Sequence, residues 1–369
     1  MTVLLWIILT PIALGVLAIG GYFLKAIVQG AREGWRYVGS EEQRADEAAA
    51  LGFLPPERQN TELSAPRPAR LDAALAAAKA GDFRPAAALF DETAATRDWE
   101  WRTRYCEEFA DVAAEDDAWL LAWEAAHPDD PGAALLRARS TVFLAWRVRG
   151  SQRARNTTSE QFEGFHRILA RSREEHARAA ALAPEGDPAP YVGEIWTALG
   201  LGYPHAEMDR LWREITERAP HHYEAHFSAL QYWCAKWRGS EELARDFAAR
   251  AAAGAPLGSL MTAFPLIAHF EHDESDTTEG DRTPEMHALV DAALADAAAA
   301  DPGHPRLSEV RHLLAYYLSL QDRDEAAVEQ FRLVDGYVDA LPWRYRNDPA
   351  AAYCRLRDES VAAAAATSG

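Results

Sequence analysis

Two motifs hold the residues of this chain that are best suited to binding chemistry. Trp146 and Arg149 lie together in Ala-Trp-Arg-Val-Arg-Gly-Ser, and Lys236 and Trp237 lie together in Lys-Trp-Arg-Gly-Ser. A guanidinium suits two-point recognition of a carboxylate, and an indole ring supports a cation by stacking. If the four side chains line one groove, that groove would bind a carboxylate or a peptide terminus. We therefore predict them as binding residues.

Helix capping gives a second explanation for part of both motifs. Gly150 and Gly239 each follow a basic residue at the end of a predicted helix, and Ser151 and Ser240 come next. Glycine is common where a helix stops in the left-handed conformation, and serine is a preferred N-cap of the following helix. These four residues are therefore predicted to be structural caps, and capping alone accounts for them.

Histidines suggest metal binding as another candidate chemistry. His222 and His226 are four residues apart and would share one helix face, as two zinc ligands do. Glu224 does not follow the first histidine directly, and the local spacing supplies no third ligand. A second polar cluster, residues 269–276, lacks the glycine and spaced acids of a calcium loop. We predict no metal and no cofactor, with His222 and His226 as the candidates if a metal binds.

Composition and missing motifs exclude several classes of function. The chain contains no GxSxG, GxxxxGK or GxGxxG motif, so no nucleophile elbow or phosphate loop is predicted. The net charge of −19 leaves no basic patch for nucleic acid. Cys106, Cys234 and Cys354 are far apart and form no CxxC pair, which argues against a disulfide framework. We predict that they are small buried apolar residues.

The elements that position these residues are predicted to be helices. From Leu71 onward the chain is rich in Ala, Leu, Glu and Arg, which favour helices, and it breaks at glycine and proline. Turns at Gly81, Gly202 and Asp322 each lead into small and large apolar residues on one helix face. This pattern indicates an all-α fold, a tetratricopeptide-like α-solenoid of antiparallel helix pairs. A non-repetitive helical bundle is the alternative.

The order of the two motifs resembles that of a bacterial family of unknown function. The family pattern is an Ala-Trp-x-x-Arg-Gly stretch, a long helix, a proline-rich turn, and a Lys-Trp-x-Gly-Ser stretch before a Phe-Ala helix. The resemblance covers roughly residues 128–269. The family is regarded as tetratricopeptide-like and has no assigned activity, so the resemblance implies a fold and no reaction.

The N-terminus predicts a membrane anchor. Residues 1–24 carry no charged side chain, and residues 3–23 supply the roughly 20 apolar residues that a spanning helix needs. Lys25, Arg32 and Arg36 follow at once, so the positive-inside rule predicts a single-pass cell-membrane protein with the N-terminus outside and the C-terminal domain in the cytoplasm. A cleaved signal peptide is the alternative, although the charged n-region is missing and the apolar core is long.

These observations combine into one predicted organisation. The segments are a transmembrane anchor (1–24), a stalk and proline-rich linker (25–70), a helical-repeat domain (71–359) with a mobile acidic loop (272–283), and a flexible tail (360–369). The predicted function is a membrane-anchored scaffold or adaptor that binds a protein or peptide partner, contacts the bilayer through residues 3–23, and binds no nucleic acid. The alternative is a metal-dependent hydrolase or small-molecule-binding protein that uses the helical body as a cavity. A cell-surface module would require the inverted topology.

Overall fold

A computed structural model describes residues 40–150, 159–273, 275 and 277–368 of the 369-residue chain. Within these ranges the regular secondary structure is helical, and its β-type pairing is an isolated bridge between Asn60 and Tyr337. This confirms the all-α prediction. The helices are α1 (residues 40–50), α2 (Ala69–Lys79), α3 (Arg84–Thr96), α4 (Trp99–Glu115), α5 (Ala118–Ala126), α6 (Pro131–Arg149), α7 (Ser159–Leu182), α8 (Ala189–Leu201), α9 (His205–Arg218), α10 (Tyr223–Trp233), α11 (Glu241–Ala252), α12 (Phe264–His272), α13 (Pro284–Ala299), α14 (Leu307–Leu320), α15 (Asp324–Val334) and α16 (Pro349–Ser368). Short 3-10 helices occur at Pro56–Arg58, Met261–Ala263, Gly280–Arg282 and Trp343–Tyr345.

None of the described helices is long and apolar enough to cross a membrane. Even the longest, α7 with 24 residues, repeatedly interrupts its apolar positions with arginine and glutamate. This finding contradicts the predicted single-pass location with a cytoplasmic C-terminal domain. The segment from which that location was predicted, residues 1–24 with the span at 3–23, lies outside the described residues.

Consecutive helices pack against each other as pairs. Contacts join α2 to α3, α4 to α5, α6 to α7, α8 to α9, α10 to α11 and α14 to α15. The first helices of successive pairs also contact one another along the series α2, α4, α6, α8 and α10. Helix α4 in addition contacts both α8 and α10, so it lies at the centre of this inner layer.

Local sequence signals begin several of these helices. The side chains of Asp98, Asp130, Ser240 and Thr283 accept backbone N–H groups at the starts of α4, α6, α11 and α13. Such caps satisfy donors that have no partner inside the helix. Pairs of helices then bury their apolar faces in two main cores. One core lies among α2 to α6, and a larger one extends from α8 to α16.

Segments near the two ends of the described chain contact each other. The backbone N–H of Asn60 donates to Gly336 O at 2.8 Å, and that of Val338 donates to Asn60 O at 2.8 Å. Further along, Arg357 Nη1 donates to Leu54 O at 2.8 Å. The described part of the predicted linker is therefore bound to the C-terminal helices. Ser360 and Val361, at the start of the predicted flexible tail, are buried residues of α16.

Candidate functional site

The structure brings the two tryptophan motifs together. The rings of Trp146 and Trp237 meet edge to face, with centroids 5.6 Å apart. Phe165 and Trp196 contact Trp146 in the same way, at 5.0 and 6.2 Å. These rings join the end of α6, the start of α7 and the middle of α8 to the turn after α10. The two motifs thus form an aromatic cluster between helix pairs.

The two basic residues of these motifs diverge. The Arg149 guanidinium carbon lies 5.3 Å from the centre of the Trp146 ring. Lys236 Nζ instead donates to Glu271 Oε2 at 2.6 Å and lies 5.6 Å from the centre of the Tyr345 ring. Each cation therefore stacks on a different ring, and Lys236 already has a carboxylate partner within the protein, while the role of the four residues in binding stays a prediction.

The four predicted caps have separate outcomes. Gly150 is the C-cap of α6 with a φ of 78°, and Ser240 Oγ accepts the Leu243 N–H at the start of α11, at 3.1 Å. Gly239 lacks the positive φ expected of a left-handed cap, since α10 already ends at Trp233. A Cβ at Gly239 would lie 1.8 Å from Trp233 O, so glycine is needed there for a close backbone approach. Ser151 lies outside the described residues.

Both candidate metal-binding histidines have structural roles. His222 is the N-cap of α10: its Nδ1 accepts the Ala225 N–H at 3.2 Å, and its Nε2 lies 3.1 Å from Trp99 O. His226 Nδ1 donates to His222 O at 2.9 Å, and its ring lies among aromatic side chains, of which Trp212 is 4.9 Å away. Burial lowers the pKa of His226 to about 4. Within the described chain, neither histidine belongs to a group of three metal-type ligands.

A different group of metal-type ligands lies at the end of α12. Atoms of His269, Asp273 and Asp281 that could bind a metal lie within 4.8 Å of one another. His269 Nε2 and Asp281 Oδ1 are 3.0 Å apart and form a hydrogen bond. Asp281 is buried and Asp273 is exposed. This mixed nitrogen and oxygen set is compatible with a divalent cation, but the His269–Asp281 hydrogen bond also explains it.

A strongly charged concave site lies elsewhere, on the inner layer of helices. This cleft, which we call the inner cleft, has a volume of about 390 Å³. Its lining comes from α4, α6, α8, α10 and α14, together with the chain before α2 and after α15. Six residues define it here: Glu107, Phe143, Trp196, Glu224, Phe227 and Arg306. Glu224 and Phe227 lie three positions apart on α10, and each of the other four residues belongs to a different helix or its cap.

Arg306 is the centre of the charges in the inner cleft. As the N-cap residue of α14, it directs Nη1 to Glu309 Oε1 at 2.7 Å and Nη2 to Glu224 Oε2 at 2.7 Å. The same Nη2 also pairs with Glu107 of α4. One buried guanidinium therefore serves three carboxyl groups, and the three come from three different helices.

These carboxyl groups have different proton affinities. Burial would raise the pKa of Glu309, but Arg306, Arg344 and Arg104 hold it at about 2. Burial also opposes ionisation of Glu107, and Arg306 with Arg139 still lowers its pKa. Two carboxylates thus remain ionised beside Arg306 because each has more than one guanidinium nearby.

Glu224 is the exception among them. Burial, and then the charge of Glu107, raise the pKa of Glu224 to about 8 against the opposing effect of Arg306. Its Oε1 accepts a hydrogen bond from Ser228 Oγ at 2.9 Å, and Ser228 Oγ in turn accepts from Trp196 Nε1 at 2.9 Å. Near neutral pH this group holds a proton that it can release when a positive charge arrives.

Aromatic residues form the other wall of the inner cleft. The Arg139 guanidinium carbon lies 4.8 Å from the centre of the Phe143 ring and 5.8 Å from that of Trp196. Arg139 Nη2 also lies 3.5 Å from Glu107 Oε1. Phe227 lies one helical turn after Glu224 and lines the same cleft. Aromatic side chains therefore line the same cleft as the charged groups, and Arg139 packs behind two of them.

Sequence reasoning did not identify this site. Glu107, Glu224 and Arg306 are separated by 117 and 82 positions, so no local spacing connects them. The sequence around Glu224, His-Tyr-Glu-Ala-His, is polar and gives no local signal, because the burial of residues 222–226 is known only from the folded structure.

No known protein family, curated protein or solved structure matches this chain. The resemblance to the tetratricopeptide-like family therefore stays a prediction from the two motifs.

Proposed function

We propose that this chain is a tetratricopeptide-like helical-repeat scaffold whose inner cleft binds a segment of a partner protein. The successive packing of helix pairs supports the repeat, and so do fully buried alanines such as Ala198 and Ala229, which let neighbouring helices approach closely. Repeats of this kind stack their first helices into a concave surface that serves for binding.

One observation carries the proposal more than any other. Five helices that are remote along the sequence contribute side chains to a single concave site. A fold stabilised only by packing would fill this space with apolar groups, because buried ion pairs are costly to desolvate. The inner cleft instead keeps arginine, glutamate and aromatic side chains together, and tryptophan and arginine are the residues enriched at binding hot spots.

Site-specific photocrosslinking tests this proposal directly. A photoreactive phenylalanine analogue would replace Phe227 in the full chain, which would be expressed in its native host and irradiated. The matched control carries the same analogue at Leu257, which is 72% exposed and does not line the cleft. We expect a discrete protein adduct from position 227 and none from position 257.

The result that overturns the proposal is equally concrete. If position 227 gives no protein adduct above the level of position 257, the inner cleft is not a protein-binding site. Circular dichroism of both variants checks that each retains the helical fold. An adduct that appears at both positions would mark non-specific crosslinking and would also contradict the proposal.

A small-molecule occupant is the second candidate, because the volume of the inner cleft also falls in the range of small-molecule sites. Native mass spectrometry distinguishes the two. A retained small mass that is lost in Phe227→Asp, but kept in Leu257→Asp, would favour the small molecule. A bound metal that is lost in Asp281→Asn would favour the metal-dependent version through His269, Asp273 and Asp281.

A further inference from the structure

The charges of the inner cleft are unevenly compensated. Glu107 pairs with Arg306 and lies 3.5 Å from Arg139, and Glu309 pairs with Arg306 and lies 4.0 Å from Arg104. Glu224 shares only one nitrogen of Arg306, and it shares that nitrogen with Glu107. Within the described chain, no second guanidinium forms an ion pair with Glu224.

The groups that face Glu224 come from every element packed around it. They are Glu107 of α4, Arg139 of α6, Ser228 of α10 itself, and Arg306 and Glu309 at the start of α14. Among the residues that the structure describes, Arg306 is the one cation in direct contact with Glu224, and Glu107 and Glu309 contact the same guanidinium. Of the three carboxyl groups that contact Arg306, Glu224 is therefore the one for which the described chain supplies no second guanidinium in ion-pair distance, and an added positive charge beside it would be stabilised.

We infer that the inner cleft receives a cationic side chain, the ammonium of lysine or the guanidinium of arginine, and that Glu224 is its acceptor. This inference rests on the proposed function, since the side chain belongs to the bound segment of the partner. Phe227 lies three residues after Glu224 on the same helix face, so its ring and the carboxylate can contact one cation together.

An anionic ligand fits this geometry poorly. The guanidinium of Arg306 already contacts three carboxyl groups, and Arg104 donates to Glu108 Oε1 at 2.6 Å. Arg139 is stacked between Phe143 and Trp196. An incoming carboxylate or phosphate would meet cations that are already paired, together with an excess of acidic groups. A cation meets the opposite situation.

Binding of a cation should release a proton. The pKa of Glu224 is raised to about 8 by burial and by Glu107, so this carboxyl is protonated in the free protein below that pH. It must ionise to pair with the ligand, whereas lysine and arginine side chains keep their charge throughout this range. The dissociation constant should therefore fall about tenfold between about pH 6 and about pH 7.

Capped amino acids provide the test on the full chain. The probes are the N-acetyl methylamides of arginine, lysine and citrulline, the last being a neutral analogue of arginine with nearly the same shape. Isothermal titration calorimetry in two buffers with different ionisation enthalpies gives both affinity and proton release. We expect the two cations to bind at least about tenfold more tightly than citrulline, with up to about one proton released near pH 7.

Glu224→Gln is the decisive variant. Glutamine has the shape of the protonated acid and can be accommodated without an unpaired charge, so the fold should be kept while the cation loses its acceptor. We expect at least about a tenfold loss of arginine and lysine affinity and no proton release. The matched control is Glu242→Gln, which makes the same charge change at an exposed position of α11 and should leave binding unchanged.

A second variant tests the role of Glu224 without replacing its carboxyl group, in case Glu224→Gln fails to fold. Ser228→Ala keeps the carboxyl but removes the hydroxyl that donates to Glu224 Oε1, so it should shift the pH dependence of binding upward. Binding of citrulline as tight as that of arginine, or unchanged binding in Glu224→Gln, would overturn the cation assignment. If the photocrosslinked adduct at position 227 persists undiminished in Glu224→Gln, partner binding stands and the cation assignment fails. If the chain that carries the analogue at position 227 and keeps Glu224 gives no adduct, the proposed function itself is refuted.

Discussion

Two buried guanidinium groups in this protein have opposite surroundings. Arg102, on α4, lies in the N-terminal core with one carboxylate partner. Arg306, at the start of α14, lies at the floor of the inner cleft with three. Both side chains are less than a tenth exposed. The difference is therefore in the number and accessibility of their partners rather than in the depth of burial.

The Arg102 pair is closed and complete. Arg102 Nε donates to Asp187 Oδ2 at 2.6 Å, and Nη1 donates to Phe90 O at 2.8 Å. Asp187 Oδ1 accepts the Ala189 N–H at 2.8 Å, at the start of α8. Both oxygens of Asp187 and two of the three guanidinium nitrogens of Arg102 thus have partners within the protein, and the pair links α4 to the start of α8 with side chains that are at most 2% exposed.

The Arg306 cluster is incomplete by the same criterion. Its three carboxyl groups divide one guanidinium, and one of them retains a proton near neutral pH. A buried arginine with one carboxylate partner thus links two helices. A buried arginine that several carboxyl groups share instead gives a site whose charge responds to pH and to a charged ligand. Four predictions test this distinction.

The largest effect is expected when the closed pair is broken. Asp187→Asn keeps the shape of the side chain but leaves Arg102 buried without a counter-charge, which should lower the free energy of unfolding by about 4 kcal/mol. Chemical denaturation followed by circular dichroism measures it. The matched control is Arg245→Gln in the exposed Arg245–Glu241 pair, which should change stability by at most about 0.5 kcal/mol. If Asp187→Asn and Arg245→Gln lower the free energy of unfolding by the same amount, the buried Arg102–Asp187 pair is no more stabilising than an exposed one.

A smaller and pH-dependent loss is expected at the shared cation. Arg306→Gln should cost about 3 kcal/mol near pH 8, because three carboxyl groups lose their common partner. In this variant the pKa values of Glu107 and Glu309 would no longer be held low, so both would bind protons as the pH falls toward about 5 and the loss would shrink. Denaturation curves at the two pH values provide the measurement. A loss that is independent of pH would show that Arg306 acts only through packing.

Glu224→Gln should change how stability depends on pH. The pKa of Glu224 is about 8 in the folded protein against an ordinary value of 4.5, so the folded state holds the extra proton between these values. The free energy of unfolding of the wild type should therefore fall as the pH rises through this window, by about 1.4 kcal/mol per pH unit at most. The variant lacks this contribution and should gain relative stability from about pH 5 to about pH 8. Parallel stability curves for the two proteins would contradict the raised pKa.

The smallest effect is expected at Lys236, a residue that the sequence predicts to bind a ligand. The side chain of Lys236 is 41% exposed, but its partner Glu271 is 3% exposed. Without Lys236, Glu271 would keep only the hydrogen bonds from Gln231 and Tyr345 among the described residues. Lys236→Ala should therefore lower the free energy of unfolding by about 1 to 2 kcal/mol. It should also leave the binding of the arginine and lysine amides unchanged, because Lys236 does not line the inner cleft. A tenfold change in that binding would indicate that the amides bind near Trp146 and Trp237 and not in the inner cleft.

Elements that depend on local sequence were predictable, and their ends less so. The turn at Gly202, with a φ of 68°, ends α8 as glycine in a left-handed cap does, and Ser240 begins α11. Helix α10 was predicted to continue to Arg238, yet it ends at Trp233. The backbone of Gly239 returns to contact Trp233, and a tertiary contact of this kind leaves no periodic signal in the sequence.

The sequence by itself determined that the described chain is helical, because the helix-forming residues, the apolar periodicity and the glycine and proline breaks all act over a few residues. The tertiary structure alone decided which charges meet. Glu107, Glu224 and Arg306 become neighbours only when α4, α10 and α14 pack together, and burial then changes their proton affinities. Desolvation and charge sharing depend on distances across the fold, and no spacing along the chain records those distances.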